Sequence, residues 1–200
     1  VPFAADLSPA VRAAGQRAVL KLADNTLRFD AAVFDQKYKD CQLNTYTGIL
    51  FVVSSIPRVE SKGAEFDVAW ATPLSGLSLS GGVNDRLSFA PLWSGVASAT
   101  YRAPITSSLE FRAGASEKYN SSYNTGSDLD PRKIQGAYGL LNGRIGLGAP
   151  DDKWALEAWG ANLADKHYYQ VAFDAPYQFN QIDAFLGAPR TFGLTARVNF

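Results

Sequence analysis

Hydrophobic and polar residues alternate along this chain with a period of two, in segments of about seven to twelve residues, the mark of strands with one apolar and one polar face. The last segment is the clearest. Phe192, Leu194, Ala196, Val198 and Phe200 share one face, and Thr191, Gly193, Thr195, Arg197 and Asn199 the other. The same reading applies to 154–162, 138–147, 109–117, 93–102 and 77–84. Upstream, Ala64, Phe66, Val68 and Trp70 oppose Glu65 and Asp67. Leu27, Phe29, Ala31 and Val33 oppose Arg28 and Asp30, and Ala18, Leu20 and Leu22 oppose Arg17 and Lys21. Amphipathic helical spacing is scarce, so the pattern predicts an all-β chain of about nine strands. Alternation alone does not say whether the apolar faces meet lipid or a protein core.

The connections between these segments differ in length by turns. Residues 23–26, 72–76, 103–107 and 148–153 are compact and rich in Pro, Gly, Asn and Asp, which suits tight hairpins. Between them lie longer links at 37–58, 85–92, 118–137 and 163–190. Outer-membrane barrels are built this way, with short periplasmic turns and longer extracellular loops. Aromatic position points the same way: Phe29, Trp70, Tyr101, Phe111, Trp154 and Phe200 fall on the apolar face near the short-turn side, and Tyr138, Trp93 and Phe192 near the other. Trp and Tyr favour the two levels where hydrocarbon meets headgroups. The expected fold is therefore an antiparallel transmembrane β-barrel. Single-chain bacterial barrels have even strand counts, so about nine strands imply an incomplete, C-terminal segment occupying residues 1–200. Two other readings compete: a complete passive barrel of eight or ten strands, and a soluble β-sandwich or lipocalin-like module whose apolar faces share a core.

Charge and composition remove several function classes. Lys and Arg number 19 against 19 Asp and Glu, which gives no basic footprint for nucleic acid. One cysteine, Cys41, and one histidine, His167, exclude disulfide frameworks and sites needing two imidazoles. Cys41 reads as a passive thiol and His167 as a structural or solvated side chain. Asp151-Asp152 and the pair Asp128 and Asp130 read as turn acids, because the spacing of a calcium loop is absent. Gly143, Gly146 and Gly148 precede a hairpin turn with no helix after it, which rules out a phosphate loop. No catalytic, cofactor or metal site is expected, and no acid, base and nucleophile converge as an enzyme would need. Methionine is absent even at position 1, and no signal peptide opens the chain, so Val1 reads as other than a native start.

Four stretches resemble one known family. Asn162-Leu163-Ala164-Asp165-Lys166-His167-Tyr168-Tyr169 is similar to the Asn-Leu-x-Asp-Lys-x-Tyr-Tyr of the TonB-dependent outer-membrane receptors. Gly187-Ala188-Pro189-Arg190-Thr191-Phe192-Gly193 resembles the start of that family's last strand, which ends in a terminal aromatic, here Phe200. Glu60-Ser61-Lys62-Gly63-Ala64-Glu65-Phe66-Asp67 resembles another strand start, and Ala31 to Phe34 with Tyr38 to Gln42 the hairpin arm before it. On their own chemistry, Pro189 suits a position without a ladder donor. Arg190 can pair with Asp165 or Asp183, and Asn162 and Asp165 can bond nearby amides. These readings give Glu60, Gly63, Asn162, Asp165, Tyr168, Pro189, Arg190 and Gly193 architectural roles.

The resemblance implies the C-terminal part of a barrel of about 22 strands around a plug, in the outer membrane of a Gram-negative bacterium. Its implied task is active uptake of a scarce, bulky solute, such as a ferric siderophore, haem, cobalamin or an oligosaccharide. The implied partners are outer-membrane lipid, the barrel-assembly machinery reading Phe200, the solute, and TonB acting through a plug that the sequence does not contain. Aromatics among polar groups in the long loops suit a binding mouth. Tyr119, Tyr123, Arg132, Tyr168 and Tyr169 are the candidate contacts.

Overall fold

The computed structural model describes residues 11–200 apart from 23, 25, 75, 76, 86–90, 129 and 200, so Phe200 and its proposed assembly signal lie outside the described residues. Thirteen strands follow in chain order. They are β1 (Val11–Leu22), β2 (Leu27–Tyr46), β3 (Phe51–Ala71), β4 (Leu77–Asp85), β5 (Trp93–Pro104), β6 (Glu110–Asn120), β7 (Tyr123–Asn124), β8 (Ile134–Gln135), β9 (Tyr138–Gly148), β10 (Trp154–Ala161), β11 (Tyr169–Asp174), β12 (Ile182–Leu186) and β13 (Thr191–Val198). One 3-10 turn, Pro131–Lys133, precedes β8.

Nine of the strands form one antiparallel sheet in the order β1-β2-β3-β4-β5-β6-β9-β10-β13, each beside its nearest predecessor in that wall. All nine coincide with the alternating segments of the sequence. The remaining strands make two small hairpins, β7 with β8 and β11 with β12, inside the last two long connections. The sheet is open, with β1 and β13 at its two edges.

Register carries the sequence pattern across the sheet. Tyr101, Ala113, Ile145, Ala158 and Leu194 lie in one row of paired residues, and Phe111, Leu147, Leu156 and Ala196 in the next. Leu20, Phe29, Val68 and Gly81 continue the same face at the other end of the sheet. Because side chains alternate strictly along a strand, a one-residue slip would mix the two faces. The apolar face stays uncovered among the described residues: Leu194 is 78% exposed, Phe192 68% and Ile145 60%. A sandwich would bury this face under a second sheet, and none packs on it. Rings lie at both levels of the face: Phe29 with Phe66 and Tyr101 with Phe111, and Trp93 stacked on Tyr119 towards the long-loop end.

The opposite face is polar and tied by side-chain bonds. Arg17 and Arg28 both reach Asp30, Ser80 and Ser98 share a hydrogen bond of 2.6 Å, and Trp159 Nε1 donates to Thr195 Oγ1 at 3.1 Å. A side chain at Gly193 would overlap the Trp159 ring, so glycine there gives the indole its seat. At the short-turn end, buried Arg112 donates to the Ala149 carbonyl at 2.7 Å and pairs with Asp152 at 2.6 Å.

One expected loop is a correction. Most of 37–58 is strand: β2 and β3 stay paired from Lys37↔Glu60 to Tyr46↔Phe51, leaving only a turn at 47–50. With 20 residues, β2 is about twice as long as a membrane crossing requires. Pairing is interrupted between Lys39↔Arg58 and Cys41↔Ile56, where Pro57 has no N–H to give the ladder and Asp40 takes φ 54. Cys41 therefore lies on a strand arm.

Candidate functional site

The long-loop end gathers its side chains around the β7–β8 and β11–β12 hairpins. Asp130 caps the 3-10 turn by accepting from Arg132 N at 2.9 Å, and Pro131 follows at the first helical position, where its missing N–H costs nothing. Asn124 Oδ1 accepts from Gly126 N, while its amide group donates to the Asp130 carbonyl, each at 2.8 Å. The loop 121–137 is thereby folded on itself before it meets any neighbour.

Two cations then tie that loop to the last one. Lys133, with its side chain only 1% exposed, places Nζ 2.5 Å from Asp128 Oδ2 and 2.9 Å from Asp174 Oδ1 on β11. Burial works against its ammonium, but hydrogen bonds to Asp128 and Asp174 outweigh it and raise the lysine above its ordinary range. Burial likewise pushes Asp128 up, and the Lys133 bond prevails and holds it low. Arg132 donates to Asp130 at 2.6 Å and to Asn180 Oδ1 at 2.6 Å; the Arg132 guanidinium holds the Asp130 carboxyl down to about 2. A backbone bond, Ala172 N to Thr125 O at 3.1 Å, joins the same two loops.

Asp128, Asp130 and Asp174 bring carboxylate oxygens within 4.8 Å of one another. That is a grouping a divalent ion could use, yet each carboxylate is already paired with Lys133 or Arg132. The acids serve as seats for the protein's own cations.

The β2–β3 tip joins this cluster. Tyr177 N donates to the Gly48 carbonyl at 3.1 Å, and Tyr46 meets Phe173 edge-on at 6.2 Å. Gly48 has φ 86, a conformation that glycine adopts without strain, and lies against the Ala175 carbonyl. The β2–β3 tip and the last two long connections thus form one contiguous assembly.

The predicted contact residues separate into three settings. Tyr119 keeps the phase of Phe111, Ala113 and Ala115 and stacks on Trp93, 4.8 Å between centroids, on the apolar face. Tyr119 therefore lies on β6, on the apolar face of the wall. Tyr123 and Tyr168 belong to a packed ring cluster. Tyr168 stacks on buried Tyr138 at 4.5 Å, its ring lies where a Gly187 side chain would sit, and Tyr123 Oη donates to the Tyr169 carbonyl at 3.3 Å. Tyr169 is held through its backbone N by Gln135 Oε1 at 2.7 Å and leaves its ring half exposed. Arg132 lies at the junction of the two loops. His167 is exposed beside the cluster. Gly48, Asp174 and Asn180 complete the assembly and carry no local sequence signal, since their partners are distant in the chain.

The other motif residues lie below the loops. Asn162, 5% exposed with φ 50, accepts from Lys166 N at 2.8 Å and donates to the carbonyls of Lys166 at 2.9 Å and Ala188 at 3.1 Å. One amide thus sutures the chain leaving β10 to the chain approaching β13. Arg190 reaches Asp165 at 3.4 Å, just after Pro189. Glu60 pairs with Lys62 at 3.1 Å and Lys37 at 3.4 Å, and Gly63 lies opposite Phe34.

Comparison with known proteins agrees with this architecture. No curated protein sequence matches the chain. Among solved structures, the ferric yersiniabactin uptake receptor of Yersinia pestis is similar over 95% of this chain and 30% of its own, at 17% identity and a TM-score of 0.75. The closed form of the ferric-catecholate import receptor of E. coli K12 is similar over 95% of this chain and 27% of its own, at 20% identity and a TM-score of 0.66. The ferripyoverdine receptor of the Pseudomonas aeruginosa outer membrane is similar over 93% and 27%, at 18% identity and a TM-score of 0.61. The chain spans less than a third of these receptors. The family model for the β-barrel of TonB-dependent receptor-like proteins matches residues 17–163, and with its nine-stranded wall and sorted connections, this chain belongs to the TonB-dependent receptor β-barrel family.

Proposed function

We propose that these 200 residues are the C-terminal part of the barrel of an outer-membrane receptor that takes up a bulky ferric siderophore with energy delivered through TonB. The observation carrying this reading is that the family match coincides with a wall whose apolar face is left for lipid, while two long connections and the β2–β3 tip assemble at one end of it. The three structural neighbours named above are receptors for iron-bearing molecules, which favours a ferric chelate over haem, cobalamin or an oligosaccharide. The division of labour follows from the parts present. The strands supply wall, the loops supply a mouth, and TonB acts on a plug formed elsewhere in the full receptor. The location is the outer membrane of a Gram-negative bacterium, with insertion by the barrel-assembly machinery and lipid as the solvent of the apolar face. No covalent step is assigned to any residue.

The test is deletion of the gene in its own host. Under chelator-imposed iron starvation, the deletion strain should grow more slowly and accumulate less radiolabelled iron from siderophore-bearing medium, and loss of TonB should produce the same defect. Normal iron uptake after deletion, under each iron source supplied, would overturn the reading.

A further inference from the structure

Two aromatic levels measure how far each strand runs across the apolar face. On β5, Tyr101 and Trp93 are eight positions apart, and on β6 so are Phe111 and Tyr119. Rings favour the two planes where hydrocarbon meets headgroups, so eight positions carry a strand from one plane to the other. On β2 the same eight positions lead from Phe29 to Lys37, and on β3 from Trp70 to Lys62. Cations thus stand on β2 and β3 at the level that rings hold on β5 and β6.

The face itself is continuous. Phe29, Ala31 and Val33 are followed on it by Asp35, Lys37 and Lys39, and Phe66 and Ala64 by Lys62, Glu60 and Arg58. In register these make three cross-strand pairs: Asp35 with Lys62, Lys37 with Glu60, and Lys39 with Arg58. Opposite charges meet in the first two, Lys62 at 3.6 Å from Asp35 and Lys37 at 3.4 Å from Glu60. In the third, two cations face each other, an arrangement that destabilises a sheet. The carboxylate that Arg58 reaches, Glu60 at 3.9 Å, is already shared by Lys62 at 3.1 Å and by Lys37. Lys39 is exposed and makes no ion pair among the described residues. Lys37, Lys39, Arg58 and Lys62 therefore outnumber Asp35 and Glu60, and the surplus lies at the Lys39–Arg58 pair.

The surroundings select the anion that would fill this gap. On the same face, towards the membrane centre, Val33 is 57% exposed and Phe66 46%. A molecule that meets both parts is an amphiphile, with phosphate at the cations and acyl chains over the apolar residues. A soluble anion would leave the apolar part bare. A second copy of the patch would bring one positive surplus against another.

We propose that Lys39 and Arg58, flanked by Lys37 and Lys62, bind the phosphate of an outer-leaflet lipid, so that the β2–β3 hairpin holds a lipid on its membrane side. The inference rests on the outer-membrane location in the reading above and is independent of the solute.

The test uses the full-length receptor in detergent micelles, with native mass spectrometry to count bound lipids. The probes are bisphosphorylated lipid A and zwitterionic phosphatidylcholine, with inorganic phosphate as competitor. Lipid A should bind at least about tenfold more tightly than phosphatidylcholine, and excess inorganic phosphate should leave it in place. The double variant Lys39→Gln/Arg58→Gln should lose roughly tenfold in the tightest lipid A step, as expected of two cations at a membrane surface, and nothing for phosphatidylcholine. The charge-keeping variant Lys39→Arg/Arg58→Lys should retain lipid A. Heat-modifiable migration checks that each variant folds. Equal binding of the two lipids, glutamine variants that hold lipid A like wild type, or its displacement by inorganic phosphate would each overturn the inference. So would receptor dimers that the glutamine substitutions dissociate. Growth of the deletion strain under iron starvation decides the uptake reading separately.

Discussion

Along the wall, neighbouring strands are joined by long backbone ladders, and side chains sort to one face or the other; the rows through Leu156 and Leu194 are apolar. In the loop cluster the proportions reverse. There the ladders are two to six residues long, and cohesion comes from named side chains: Lys133 between two carboxylates, Arg132 between Asp130 and Asn180, Tyr168 between Tyr138 and Gly187. In the membrane setting proposed above the wall would draw on its solvent, because in hydrocarbon an unpaired backbone group costs several kcal/mol and the ladder cannot be exchanged for anything else. The loops face water, so each must be specified contact by contact. A substitution in the wall is therefore felt according to the face it occupies, and one in the loops according to the partner it loses.

The largest expected effect falls on the wall. In the full receptor, Leu156→Arg or Leu194→Arg should cost about 2–4 kcal/mol in urea unfolding from lipid vesicles, the penalty of a cation near mid-membrane. Glu157→Gln, one residue from Leu156 on the polar face, should change stability by no more than about 0.5 kcal/mol. Equal costs on both faces would erase the distinction between them. Next comes Asn162→Ala at the seam between wall and loops. It strips partners from Lys166 and the Ala188 carbonyl and should cost about 2 kcal/mol, seen as earlier proteolysis of the last loop.

Within the loops, Lys133→Met removes the ammonium and leaves Asp128 and Asp174 facing each other. Breaking a fully buried pair costs about 3–5 kcal/mol, but these carboxylates are a quarter to a third exposed, so about 1–2 kcal/mol is expected after screening. Hydrogen exchange should quicken at the Thr125 and Ala172 amides and stay unchanged in β9 and β10. The smallest effect is that of pH. Asp130 titrates lower folded than unfolded, near 2 against about 3.9. Its contribution is complete above the unfolded value and is lost as pH falls towards the folded one. Lys133, raised, contributes fully below the unfolded lysine value of about 10.4 and is lost only as pH rises beyond it. Protection in the cluster, exchange corrected for its intrinsic pH dependence, should then be flat from about pH 5 to 9 and fall below about pH 4.

How much of this was legible in the sequence divides along the same line. The nine wall strands could be read because one apolar and one polar face imprint a period of two. The long-loop arms of β2 and β3 could not, since Lys37 to Tyr46 alternates in nothing. Tyr119 was readable in principle: it shares the phase of Phe111, and its position in a long connection obscured that. Asn162 and Arg190 announced their bonds through residue type and short range. The junction of Lys133 with Asp174, and of Gly48 with Tyr177, joins residues far apart in the chain, and no local pattern encodes such a meeting.

The central claim, that hydrocarbon is the solvent of the apolar face, is tested most directly by spin labels in the intact receptor inserted in bilayers. Labels at Ala113, Leu156 and Leu194 should collide chiefly with dissolved oxygen and be shielded from a water-soluble nickel chelate, whereas labels at Glu157 and Thr195 should not show the oxygen preference. Labels at the first three sites that are shielded from both, as inside a packed protein core, would contradict it.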